Sequence, residues 1–255
     1  MLLIQNLRNK NLVRAAWTKV LGHMKHMGNF IPDRNWILYL LLPDKKVSIL
    51  DIGPNVYLFK TLLEPAKFSA YSYTAMDIVR RYDDSAVNQV VHDANSGPYP
   101  FSDSSFDLIV ASDVIEHIRE TDVFLHEIAR LLKPDGEFFC TTPNYASLFS
   151  IVKILRGKMF HNPLGRDIDK YCFQEHVKYF TPRDLVPYLE HYGLFTNTLI
   201  AHDLKTDIDY VLKHGVKGRI MMSIFNFFSA MNFRFSPEIV LVASKKSTGK
   251  RLLRV

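Results

Sequence analysis

The chain has 255 residues, 47% hydrophobic and 23% charged, which excludes a disordered polymer and gives one domain with embellishments. Its net charge of +6 sits at the ends: residues 1–46 carry eight Lys/Arg against two acids, residues 245–255 carry five and no acid, and the middle is net negative, which excludes a uniform nucleic-acid face. Two cysteines (Cys140, Cys172), no apolar leader with a cleavage site and no run of 18 apolar residues predict a reducing, cytoplasmic setting with no transmembrane helix, a peripheral membrane contact being the alternative.

Residues 1–46 form a predicted helical cap, in which Val13, Ala16, Trp17, Val20 and Met24 share one helical face over 9–28. From residue 47 to 255 a single α/β domain is expected. Val47-Ser48-Ile49-Leu50-Asp51-Ile52-Gly53 reads as a buried parallel strand ending in an acid and a glycine turn. Phe68 to Met76 is a second strand ending at Asp77, and Gln89–His92 a third ending at Asp93. Phe106–Ala111 is the fourth strand, and a helix from Asp122 to Leu132 stops at Lys133-Pro134-Asp135-Gly136. Glu137–Thr142 is the fifth strand. This alternation defines a doubly wound sheet with right-handed crossovers.

Two stretches depart from the alternation and read as insertions. One covers about 144–180, with a helix at Ser147–Leu155 followed by a basic loop containing His161, Arg166 and Lys170. The other covers about 203–235, with an apolar stripe of Met221, Ile224, Phe225, Phe228, Met231 and Phe235 interrupted by polar residues. That stripe suits a domain cap, a homodimer contact, a hydrophobic substrate channel or a membrane contact. Between the insertions, Thr181-Pro182-Arg183-Asp184 starts a helix with Thr181 as its cap and Gly193 ends it. A sixth strand follows at Leu194–Ala201, and the last at Glu238–Ala243, before a basic tail.

Asp51, Asp77 and Asp93 end three successive strands. An acid one strand beyond a glycine turn is placed to accept hydrogen bonds from ribose hydroxyls, and the next could receive an adenine amino group. Asp51 could organise the loop or meet an ammonium. The set points to an adenosine-containing ligand. His-x-x-His at 23–26 reads as a helix surface, and no compact metal-ligand spacing is present, so no metal is expected.

The ordered segments Leu50-Asp51-Ile52-Gly53, Asp77, Asp93-Ala94, Phe101 to Ile109 (FSDSSFDLI), Asp113-Val114-Ile115-Glu116-His117 and Leu132 to Gly136 (LKPDG) resemble the class I S-adenosylmethionine-dependent methyltransferases. Within that family they look most like the small-molecule branch acting on quinones, sugars and lipids. The resemblance covers residues 47–144 and recurs at Glu175–Leu194. It implies a Rossmann-like, mostly parallel sheet of seven strands, with an antiparallel last strand inserted between the fifth and sixth. It also implies S-adenosylmethionine as cofactor, S-adenosylhomocysteine as product, and a small-molecule or amphiphilic acceptor. By the same resemblance Asp51 and Gly53 lie beside the methionine moiety, Asp77 at the ribose, Ile78 against the adenine ring, Asp93 with Ala94 at the adenine, and Ser112 toward the methionine portion. The chain departs from the family where alternating glycines are usual, carrying Asn55 and Tyr57. Asn55 tolerates a left-handed backbone and is counted with the cofactor site, whereas Tyr57 either points away or fills part of it.

Methyl transfer to oxygen benefits from alignment and from a base, and histidine suits the latter. His117 is the first candidate, His176 the second, and Asp113 and Glu116 could orient an imidazole or the acceptor. Tyr145 is a further candidate wall of the pocket, and Tyr179 lies near His176. No Asn/Asp-Pro-Pro-Tyr/Phe run follows the fourth strand to hold an extruded base, so no nucleic-acid substrate is expected. The alternative to an enzyme is a catalytically inactive methyltransferase-like fold serving as a protein-interaction module.

Overall fold

In a computed structural model of the chain, the described residues are 38, 46–54, 71–80, 87–157, 176–201, 215–217, 220, 223–224, 227, 232–249 and 251–254. The predicted helix at 9–28, Asn55, Tyr57 and residues 158–175 lie outside them. So does most of the second insertion.

The sheet is built from β1 (Ser48–Ile52), β2 (Ser72–Asp77), β3 (Asn88–Val91), β4 (Phe106–Ser112), β5 (Leu132–Pro143), β6 (Phe195–Ala201), β7 (Glu238–Ser244) and β8 (Arg251–Arg254). Their order across it is β3-β2-β1-β4-β5-β7-β6-β8. The first five strands pair in parallel, and β7 runs antiparallel to both β5 and β6. The sheet is thus the expected doubly wound, mostly parallel one, with the antiparallel strand where the resemblance placed it. It has one strand more than expected, because Arg251–Arg254, read in the sequence as a basic tail, pairs in parallel with Thr198–Ala201 of β6. A β6 edge left bare would expose a row of unpaired backbone groups, and β8 covers it.

The central strands are continuous apolar runs because both faces are covered. Ile49, Leu50, Ile109, Phe138 and Phe139 are fully buried. Helix α1 (Thr121–Leu131) packs on them with Phe124, Leu125, Ile128 and Leu131, all buried. The Phe124 and Phe138 rings meet edge to face at 6.4 Å. Helix α2 (Leu148–Leu155) starts as the sequence predicts, with Ser147 Oγ accepting from the Ser150 N–H. In helix α3 (Pro182–His191) Pro182 is at the first turn, but the Thr181 hydroxyl makes no cap bond to the backbone. It donates to Asp184 Oδ2 at 2.6 Å instead.

Strand β5 begins earlier than the sequence predicts. Leu132 pairs with Phe106, and the register resumes at Glu137 opposite Leu108. Lys133-Pro134-Asp135-Gly136 is therefore an irregularity inside the strand, not a separate turn before it. Gly136 is needed there, since a Cβ would stand 3.0 Å from the Phe106 carbonyl oxygen. Lys133 Nζ reaches Asp107 Oδ2 at 2.8 Å, and the same oxygen accepts from the Ser48 N–H and hydroxyl. Partial burial works to raise the Asp107 pKa, but these bonds hold it below the usual carboxylate range.

The loop before β4 is tied down by Arg130. Its guanidinium donates to Glu127 Oε1 and Oε2 at 3.0 and 2.6 Å, to Asp103 Oδ1 at 2.6 Å, and to the Phe101 and Tyr99 carbonyls at 2.9 and 3.1 Å. Glu127 Oε2 also accepts the Tyr99 N–H. Arg130→Ala removes charge-assisted bonds from a nearly buried carboxylate and should lower stability by roughly 1.5–3 kcal/mol. Chemical denaturation would show this as a lower midpoint with an unchanged slope.

Candidate active site

The order β2-β1-β4 means that the chain leaves β1 to one side of the sheet and β4 to the other, and a crevice opens at their carboxyl ends. A cleft of about 700 Å³ lies there. Gly53, Asp77, Ile78, Asp93, Ala94 and Asp113 line it, as do His92, Asn95, Val114, His117, Arg119, Glu120 and Val177. Six of the sequence-predicted site residues thus line one cavity together with the candidate base His117.

Gly53 leaves β1 at φ +60°, and its N–H donates to the Met76 carbonyl at 2.9 Å. A Cβ at this position would sit 2.8 Å from Val114 Cγ2. Both facts require glycine. Asp113 leaves β4 at φ +54°, unusual for a residue other than glycine. Its N–H donates to the Thr141 carbonyl at 3.0 Å and the Thr141 hydroxyl at 3.2 Å.

Asp77 Oδ1 accepts weakly from the Val79 N–H at 3.4 Å. Ile78 is 44% exposed at the same rim. Asp93 Oδ1 accepts from the N–H and the amide of Asn95 at 2.9 and 3.0 Å, and the Ala94 carbonyl accepts from the Tyr99 hydroxyl at 2.7 Å. Asn95 was not singled out in the sequence, yet its Oδ1 accepts from the Arg119 and Glu120 N–H groups at 2.7 and 3.3 Å. That bond joins the loop after β3 to the loop before α1. An Asn-Ser-Gly-Pro run after a strand signals only a turn, and the partner lies 24 residues on.

Asp51 and Ser112 lie elsewhere. Asp51 is 3% exposed and its Oδ2 accepts the Tyr73 hydroxyl at 2.5 Å. Burial pushes its pKa up to about 7 against the opposing Tyr73 bond, with Asp77 adding to the rise. Ser112, the last residue of β4, is absent from the cleft lining, and its buried hydroxyl has no hydrogen-bond partner among the described residues. Neither side chain is among those that line the cleft.

One wall of the cleft forms around a short 3-10 turn, Ile115–His117. The Glu116 carbonyl accepts from the N–H groups of Val177 and Lys178 at 2.8 and 3.1 Å, which draws the segment after the first insertion to the cleft. His176 thereby comes edge-on to His117, ring centroids 4.7 Å apart. Tyr145 shares a 2.7 Å hydrogen bond with His176 Nδ1 and packs edge to face on Tyr179 at 4.6 Å. Burial, with Tyr179 and Glu116 nearby, holds the Tyr145 phenol well above its ordinary pKa. Glu116 is fully buried, and its Oε2 accepts the Thr142 hydroxyl at 2.9 Å. One ligand atom each from Glu116, His117 and His176 lie within 4.8 Å of one another, so the three together could hold a metal ion. Spacing in the sequence gave no such set, because its third member joins only through the fold.

The family described as "Methyltransferase domain" matches residues 21–198. The chain is 29% identical over 97 residues to the mitochondrial ubiquinone biosynthesis O-methyltransferase of Bos taurus, which covers 38% of this chain and 25% of that protein. It is 33% identical over 81 residues to a probable S-adenosylmethionine-dependent methyltransferase of Mycolicibacterium smegmatis, 27% of this chain and 32% of that one. The chain thus matches about a quarter to a third of the length of these relatives. Among solved structures, a putative methyltransferase of Haloferax volcanii in complex with the Trm112 activator superposes with a TM-score of 0.56 at 16% identity, over 93% of this chain and 98% of that one. An Archaeoglobus fulgidus SAM-dependent methyltransferase does so at 0.54 and 18%, over 82% and 90%. The chain belongs to the methyltransferase domain family, within the class I S-adenosylmethionine-dependent methyltransferases. The reading of an inactive interaction module finds no support in these matches.

Two outcomes test the floor of the site. Gly53→Ala should cost roughly 1–3 kcal/mol of stability through its left-handed backbone and the Val114 contact, read by thermal unfolding. The Asp51 carboxyl binds its proton more tightly folded than unfolded, so its contribution falls as pH rises from about 4 to about 7. Across that window the wild type should lose stability relative to Asp51→Asn, and outside it the difference between them should stay flat.

Proposed function

We propose that the cleft holds S-adenosylmethionine along its length and that the acceptor is a small molecule offering an oxygen nucleophile, of the sugar, lipid-linked or quinone-precursor kind. The observation that carries this reading is one cavity lined at once by Gly53, Asp77, Ile78, Asp93 and Ala94 and by Asp113, His117 and Val177. The residues fit the cofactor: the Gly53 backbone reaches the cleft where no Cβ can stand, and the acids at the ends of β2 and β3 are oriented by local bonds. Asp77 would accept the ribose hydroxyls, Ile78 would pack on the adenine, and Asp93 with Ala94 would meet its edge. Asp51 would act from beneath, holding the loop through Tyr73.

Bound there, S-adenosylmethionine supplies a methyl group to the acceptor by in-line displacement. The chain's own task is alignment, with a base for the acceptor proton. His117 faces the cleft, and His176 stands beside it with Nδ1 taken by Tyr145, so proton exchange through His176 would run through Nε2. The oxygen acceptor is supported by the likeness to a relative named for O-methylation in ubiquinone biosynthesis.

A second reading is favoured by the convergence of Glu116, His117 and His176, a two-nitrogen, one-oxygen set suited to a divalent ion. Titration with Zn²⁺ or Mn²⁺ separates the two. Binding lost in both His117→Ala and His176→Ala supports the metal reading, and no binding leaves the histidines as bases.

The main experiment is calorimetric titration with S-adenosylmethionine and S-adenosylhomocysteine. Asp77→Ala should weaken binding about 10- to 100-fold. His117→Ala should leave cofactor affinity unchanged and lower kcat on a phenolic acceptor by about 10²–10⁴-fold. Folded protein that binds neither ligand would sink the reading.

A further inference from the structure

We propose that the helical residues between 215 and 227 lay an exposed apolar face on an anionic lipid surface. Val216, Ile220, Ile224 and Phe227 are all helical and are 71, 57, 48 and 62% exposed. Their spacing of four, four and three residues puts them within an arc of about 80° at 100° per residue. Ser223, about 20° outside that arc, is exposed too. Large apolar side chains scattered singly over a surface need no explanation, but four exposed helical ones at the spacing of one face do.

The charge of the surrounding sequence selects its occupant. From residue 210 to 237 the chain carries Lys213, Lys217, Arg219 and Arg234 and no Asp or Glu, and Lys217 and Arg234 are exposed. A second copy docking through this face would set the same cations against each other across a two-fold axis. Lipid headgroups of negative charge neutralise them while the apolar face enters the acyl boundary. No helix among the described residues is long and apolar enough to cross a membrane. The inference does not rest on the methyl-transfer reading, because none of these residues lines the cleft.

The test is cosedimentation of the full chain with phosphatidylcholine vesicles, with and without phosphatidylglycerol. The wild type should sediment only with the anionic vesicles, and added salt should release it. Phe227→Asp and, independently, Ile220→Asp should each weaken binding about tenfold or more, and Lys217→Glu about fivefold. All three should keep cofactor affinity. The proposal is overturned if the wild type stays in solution with anionic vesicles, or if both aspartate variants bind as it does. It is overturned as well if light scattering shows a dimer that Phe227→Asp dissolves while vesicle binding is unchanged.

Discussion

The candidate site depends on how two neighbouring strands end. Gly53 leaves β1 and Asp113 leaves β4 in the left-handed region, and the Val114 methyl occupies the space a Gly53 Cβ would need. One turn can be tight only because the other fills the room beside it. Beside this contact Asp77 and Asp93 line the cleft from the ends of β2 and β3, and the 3-10 turn bearing Glu116 brings His117 to the same cavity. The contact is steric, so it does not weaken with salt or pH as the ion pairs at the opposite end of the sheet do.

Much of the frame was legible in the sequence because strands buried on both faces leave runs such as Ile49-Leu50 and Leu108-Ile109-Val110 that nothing else explains. What was not legible was decided by distant partners. Arg251-Leu252-Leu253-Arg254 looks like a basic tail until β6 offers it an edge. Lys133 to Gly136 looks like a stop, yet the pairing of Leu132 with Phe106 carries the strand through it. The acids divided in the same way: Asp77 and Asp93 line the cleft as their positions after strands suggested, whereas Asp51 is absent from the lining and buried against the Tyr73 hydroxyl on the neighbouring strand.

The group around His117 was legible only as a set of separate residues. Nothing local in Glu116-His117 announces a fully buried carboxylate, and nothing in Glu175-His176-Val177 announces an imidazole held by Tyr145. The two segments meet because the Glu116 carbonyl takes two N–H groups from Val177 and Lys178. A backbone bond of this kind leaves no mark in residue type, so side-chain chemistry alone cannot forecast it.

The Asn95 amide has a thermodynamic consequence. It binds Asp93 on one side and the Arg119 and Glu120 backbone on the other, so the end of the cleft at Asp93 and the turn carrying His117 share one support. If one ligand stiffens that support, the other pays less of the ordering cost on arrival. Equilibrium linkage then makes the effect mutual: any factor by which an acceptor tightens the cofactor must return as the same factor in acceptor affinity.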